Sequence, residues 1–108
     1  MKAFSAFWFA TIWTIAGAAA EAAISDAEAA ALMVKYNCQG CHAVDQKVVG
    51  PAFRDIAKKY ATDSGAAGKL QRSVKNGSTG VWGSIPMPPN TLPGADLAAL
   101  AQWILSLK

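Results

Sequence analysis

Apolar residues are distributed along the chain in one long run and then in short periodic groups. The run extends from Ala3 to Ala20, behind a single basic residue, Lys2. From Asp26 the pattern becomes helical: Ala29, Leu32, Met33 and Tyr36 recur at i, i+3, i+4 and i+7, the spacing of one helix face. Ser25 with Glu28 is the S-x-x-E signature of a helix start, and Asp26 favours the same N-terminus, so a first helix is predicted over Asp26 to Tyr36. Phe53, Ile56, Ala57 and Tyr60 repeat the spacing after Gly50-Pro51 and predict a short second helix. A third, near Ala66 to Asn76, carries Leu70 and Val74 at i, i+4 and stops at Gly77, a residue suited to the position after a helix end. The last begins at Gly94 or Ala95 and extends to Leu107, with Leu97, Leu100, Ala101, Ile104 and Leu107 on one face and Trp103 beside it. Four helices and no strand pattern predict an all-α domain.

The N-terminal run belongs to a different class of segment. One basic residue, an aromatic-rich apolar stretch (Phe4, Phe7, Trp8, Phe9, Trp13) and the small residues of "AGAAAEAA" read as a secretory signal over residues 1–22, cleaved after Ala20 or Ala22. The competing reading is an uncleaved anchor, since about 18 apolar residues can just span a bilayer; the clustered alanines favour cleavage. Residues 23–108 would then form one exported domain. At that size an apolar core alone is marginal, and an additional staple is common. The whole chain has ten Lys+Arg against seven Asp+Glu. Its cations are scattered singly or in the pair Lys58-Lys59, so nothing points to nucleic acid.

The staple is sought among the two cysteines and the single histidine. Cys38 and Cys41 stand in "YNCQGCHAV", too close in sequence for a disulfide between them to close a stabilising loop. A thioredoxin-like redox pair would follow a strand, and none is predicted before Tyr36. Zinc would want four ligands, more than two Cys and one His supply. C-Q-G-C-H is instead the attachment motif of a c-type haem. Two thiols one turn apart can add to the vinyl groups on one edge of a porphyrin, and the next residue, His42, turns its imidazole to the iron. The flat apolar disc supplies the missing core, and its thioether bonds keep it in place.

The iron's other axial position decides between chemistry at the metal and simple electron transfer. With no second histidine, the candidates are Met, Lys or an open site. Met1 leaves with the signal, and Met33 lies on the apolar face of the first helix. Met87 lies in "GVWGSIPMPPN", within a stretch, residues 77–93, that holds three glycines and four prolines and can form no regular element. Its apolar Val81, Trp82 and Ile85 call for burial, and its prolines stiffen the backbone around the sulfur. Met87 is therefore the expected second ligand.

From Cys38 to Lys108 the chain resembles the short-chain bacterial class I (monohaem) cytochromes c, periplasmic electron carriers associated with nitrite reductase and terminal oxidases. The resemblance rests on "CQGCHAVD", "VVGPAFRDIAKKYA", "KNGSTGVWGSIPMPPN" and "LAQWILSLK". It implies the class I cytochrome c fold, one haem c bound through Cys38 and Cys41, and His42 and Met87 as axial ligands. It also implies that the Pro51 carbonyl accepts a hydrogen bond from the His42 ring. Asn90 would hydrogen-bond near the Met87 sulfur, and Trp82 would donate its indole N–H to a haem propionate. Two positions depart from the family pattern: Ser73 stands where many relatives carry a basic residue, with Arg72 about 100° away round the helix. Asn37 replaces a frequent glycine before the first cysteine, and asparagine tolerates left-handed backbone angles.

The expected function is one-electron transfer in the periplasm, for example from a cytochrome bc complex to nitrite reductase or a terminal oxidase, with no enzymatic activity and no small-molecule substrate. Partners would dock transiently at the exposed haem edge, near Val48, Val49, Pro88, Pro89 and Lys47. A monomer without stable membrane insertion is expected once the signal is removed.

Overall fold

The computed structural model describes residue 3, residues 10–12 and residues 23–108. The expected signal, residues 1–22, lies outside the described residues apart from those four positions. Four helices follow in order: α1, Asp26–Lys35; α2, Phe53–Lys59; α3, Ala66–Asn76; and α4, Gly94–Leu105. A single 3-10 turn, Cys38–Gly40, follows α1. Among the described residues there is no sheet, only two isolated antiparallel bridges, His42 with Lys47 and Ser78 with Met87. No helix among the described residues is long and apolar enough to cross a membrane.

The helix starts follow the local chemistry. The Ser25 hydroxyl accepts from the Glu28 backbone N–H at 3.1 Å and donates to the Glu28 carboxylate at 3.2 Å, so the capping residues of α1 grip each other as its sequence suggested. At the other end of the chain, α4 stops two residues before the predicted Leu107. There the Ser106 hydroxyl donates to the Trp103 carbonyl at 2.6 Å, and a serine side chain that engages the last turn in this way competes with continued helix. After α2, the Asp63 carboxylate accepts from Lys69 Nζ at 2.5 Å and from the Gly65 N–H, which together hold it below the usual carboxylate range.

Two long-range hydrogen bonds join α1 to α4. At one end the Tyr36 hydroxyl donates to Asp96 at 2.6 Å; at the other, the Trp103 indole N–H donates to Asp26 at 2.9 Å. Between them lies the core, Ala29, Met33, Phe53, Ile56, Leu100 and Trp103, with Phe53 and Trp103 edge to face at 6.2 Å between centroids. Arg54 fastens α2 to the rest by donating to Asp45 at 2.6 Å and to the backbone carbonyl of Lys108.

The Tyr36–Asp96 bond carries a pH dependence of known sign. The neighbouring carboxylate raises the phenol above its ordinary value of 10.0. A raised folded-state value means the contribution is complete below the unfolded value and is lost as pH rises through the folded one. Tyr36→Phe is therefore expected to unfold at lower temperature than wild type at pH 7, and the gap should narrow above pH ~10. Thermal unfolding of both holoproteins across that range checks it.

Among the described residues eleven apolar ones are buried, but five of them are alanines, so large side chains supply little of the core. Leu70, Leu92, Tyr60 and Ile104 are only partly buried against it. Such side chains contribute about 1.5–3 kcal/mol each when burial is complete. The helices thus face an interior that their own side chains do not fill.

Candidate haem site

That interior is a cavity of about 400 Å³ reached by all four helices and by both long loops. Cys38, Cys41, His42 and Met87 all line it, and among the described residues no Lys, Arg, Asp or Glu side chain does. The four residues singled out for the cofactor and its metal are thereby brought to one site from two separate parts of the chain.

The turn after α1 delivers the cysteines. Asn37 takes φ 58° and ψ 31°, the left-handed conformation expected of this asparagine, and starts the 3-10 turn at Cys38. The His42 N–H then returns to the Cys38 carbonyl at 3.0 Å. Cys38 is half-buried and Cys41 exposed, and burial pushes the Cys38 thiol up. The two thiols are not joined to each other.

His42 is fixed on several sides. Its Nδ1 lies 2.7 Å from the Pro51 carbonyl, an acceptor only, so Nδ1 carries the proton and Nε2 keeps its lone pair. The ring stacks on Phe53 at 5.1 Å between centroids and 21° between planes. It also lies so close to Gly50 that a Cβ there would come within 2.5 Å of the His42 Cε1 carbon. Glycine at position 50 is the flat wall that admits the imidazole, a role that the Gly50-Pro51 pair did not disclose as a mere helix-preceding turn. The backbone N–H of Gly50 bonds the Cys41 carbonyl at 2.7 Å, tying that wall to the cysteine turn.

Met87 is held by its backbone. Its N–H donates to the Ser78 carbonyl at 2.8 Å, and its carbonyl accepts from the Ser78 N–H at 3.0 Å. Gly77 takes φ +79°, and a Cβ on it would meet the Met87 carbonyl oxygen at 2.8 Å. Gly77 thus ends α3 as predicted and also permits the bridge that places Met87. Met33 packs instead in the core cluster of α1, where its helical spacing put it, although it too reaches the cavity wall.

The remaining site residues divide. Pro51 accepts from His42 as the resemblance implied. Asn90 lines the cavity, but its Nδ2 donates to the Tyr36 carbonyl at 2.8 Å, which ties the end of the Met87 loop to the end of α1. Trp82 lines the cavity and lies beneath Lys59, whose Nζ is 5.2 Å from the ring centroid. Ser73 reaches the cavity wall, whereas Arg72 reaches only a second, shallower groove between Tyr60 and Asn76. The family's basic position is therefore filled by a hydroxyl.

A c-type haem fits this donor set. It needs two thiols on one edge, a neutral imidazole on one face and a second donor on the other, within an apolar, uncharged enclosure. The cavity walls supply each of these, and among the described residues no three His, Cys, Asp or Glu side chains gather as an alternative metal cage.

Comparison with known proteins points the same way. The family model described as Cytochrome c matches residues 17–108. Cytochrome c-552 of Nitrosomonas europaea is 51% identical over 102 residues, covering 94% of this chain and 96% of its own. Cytochrome c-551 of Pseudomonas aeruginosa is 52% identical over 77 residues, 71% of this chain and 74% of its own. The crystal structure of wild-type N. europaea cytochrome c552 superposes with a TM-score of 0.71 at 57% identity, over 73% of this chain and 99% of that one. The class 1 cytochrome MtoD of Sideroxydans lithotrophicus shares the fold at 26% identity, with a TM-score of 0.62 over 77% of this chain and 97% of its own.

Proposed function

The chain belongs to the cytochrome c family, as a monohaem class I member with one covalently bound haem c that carries electrons rather than catalysing a reaction, and on that premise we propose that His42 and Met87 ligate its iron. The observation that carries this reading is their convergence on one uncharged cavity with Cys38 and Cys41. The haem supplies the one-electron couple, and the protein's residues set its conditions. Pro51 holds the His42 proton on Nδ1, which orients the ring and strengthens Nε2 as a donor. The Ser78 bridge and Gly77 hold Met87 in place while the iron changes charge, so little has to reorganise. A soft sulfur and an apolar, uncharged wall both disfavour the extra charge of the ferric state and raise the potential. Trp82 is the donor to a haem propionate, and Ser73 brings an α3 hydroxyl to that cavity wall.

The chain is exported to the periplasm, with residues 1–22 removed after Ala20 or Ala22. Support comes from the N. europaea relative, which aligns over 94% of this chain as a full sequence but over only 73% as the crystallised protein. A leader absent from the crystallised relative fits that difference. As a monomer, the carrier meets its redox partners briefly through the edge marked by exposed Cys41, where Val48 and Val49 remain 54% and 46% exposed beside Lys47. Those partners would be a donor such as a cytochrome bc complex and an acceptor such as nitrite reductase or a terminal oxidase.

An absorption spectrum of the reduced protein with and without carbon monoxide tests the ligation. Two occupied axial positions predict no change on adding the gas. A prompt spectral shift would mean an open coordination site and a haem enzyme or gas sensor instead.

A further inference from the structure

Residues 79–86 make an excursion whose base is fixed and whose tip is not. The Ser78–Met87 bridge closes the base with two backbone hydrogen bonds. At the tip, the Gly80 N–H donates to the Gly83 carbonyl at 3.1 Å, with φ 84° and 122° at the two glycines. Among the described residues, that internal bond is the one backbone hydrogen bond made by Gly80–Ile85. Val81, Trp82 and Ile85 all line the haem cavity, so the excursion is a strap across its mouth whose tip no backbone hydrogen bond fastens to a helix.

Lys59, the last residue of α2, is placed to fasten it. Its ammonium lies 5.2 Å from the centroid of the Trp82 ring, and among the described residues it makes no ion pair. We propose that Lys59 is a positioning residue, which clasps the strap to α2 through the Trp82 ring and so limits access to the Met87 side of the iron. The last step rests on Met87 as the axial ligand; the clasp itself does not. A cation over an indole at a partly exposed site shifts an open–closed equilibrium by about two- to fivefold, enough to change measurably how often the strap lifts.

The test uses the holoprotein as wild type, Lys59→Gln and Lys59→Arg, with two readouts. Hydrogen exchange of the Trp82 indole N–H reports lifting of the tip. The rate at which added imidazole displaces the sulfur from ferric iron reports access to the metal. Lys59→Gln is expected to accelerate both by about two- to fivefold, and Lys59→Arg, which keeps a cation over the ring, to return both close to wild type. Unchanged Trp82 indole exchange in Lys59→Gln overturns the clasp, even if the reduction potential moves, because the lysine would then act only as a nearby charge. Failure of arginine to rescue overturns it too. Trp82 indole exchange responding while imidazole binding does not would leave the clasp standing and overturn its control of access to the iron.

Discussion

Met87→Ala is expected to abolish the ferric iron–sulfur charge-transfer band completely and to convert a reduced protein inert to carbon monoxide into one that binds it at once. The effect should be all or none, because no other sulfur or imidazole is placed to replace the lost ligand. Met33 reaches the cavity wall but is packed at 7% exposure among Ala29, Phe53, Leu100 and Trp103, so reaching the iron would require α1 to leave the core. Met33→Leu is the matching control, since a volume-conserving exchange of this kind costs less than about 1.5 kcal/mol and should keep the band. A band surviving in Met87→Ala, or lost in Met33→Leu, would reverse the assignment. Gly77 acts through Met87, since a Cβ there would press on the Met87 carbonyl, and Gly77→Ala should weaken the band without eliminating it.

The second large effect is expected on the opposite face of the haem. Gly50→Ala would place a methyl carbon 2.5 Å from His42 Cε1 and 2.9 Å from its Nδ1, well inside van der Waals contact. The ring has little freedom to yield, because it is stacked on Phe53 and its Nδ1 is bonded to the Pro51 carbonyl at 2.7 Å. Either the imidazole tilts and loses that bond, or the 47–51 turn moves and breaks the Gly50 N–H bond to Cys41. Overpacking of this sort costs about 1–3 kcal/mol, and a tilted, less basic imidazole should also shift the reduction potential. Thermal unfolding and a redox titration of the variant check both. Wild-type values for the two together would show that the Gly50 wall does not position His42.

How far the sequence discloses this arrangement depends on the range of the interactions. The helices are legible because each carries its own period and its own start or stop, as in the Ser25–Glu28 cap and the Gly77 stop. The Ser106 bond that shortens α4 leaves no such trace. The cysteine–histidine motif is legible because its three residues act within one turn, and Met87 is legible because the proline-rich loop around it has no other use for a methionine. What the sequence leaves hidden is pairing between distant segments. Gly50 reads as a turn residue until the His42 ring is seen against it, and Ser78 reads as an ordinary loop serine until it bridges Met87. Asn90 carries no sign that its amide turns to the Tyr36 carbonyl, fifty-four positions away. Likewise Lys59 looks like half of a solvated Lys-Lys pair, because nothing local announces Trp82 as its partner.

The difference at Ser73 shows the opposite case, where one helical step has a structural consequence that can be read in advance. About 100° of rotation separates neighbouring side chains on α3, and it leaves Ser73 on the cavity wall and Arg72 in the adjoining groove. Among the described residues the cavity wall is consequently free of cationic side chains, with Arg72 in the adjoining groove and Lys59 outside it above Trp82.

The claim on which the rest depends is that one uncharged cavity holds a haem between His42 and Met87. Nuclear magnetic resonance of the ferrous protein, with its methionine methyl groups labelled and assigned, tests it most directly. A methyl group held against a porphyrin face is shifted far upfield by the ring current, and the account predicts that the shifted signal belongs to Met87 while Met33 stays in the range of a core methionine. A Met87 methyl at an ordinary position, or a shifted signal assigned to Met33, would contradict it.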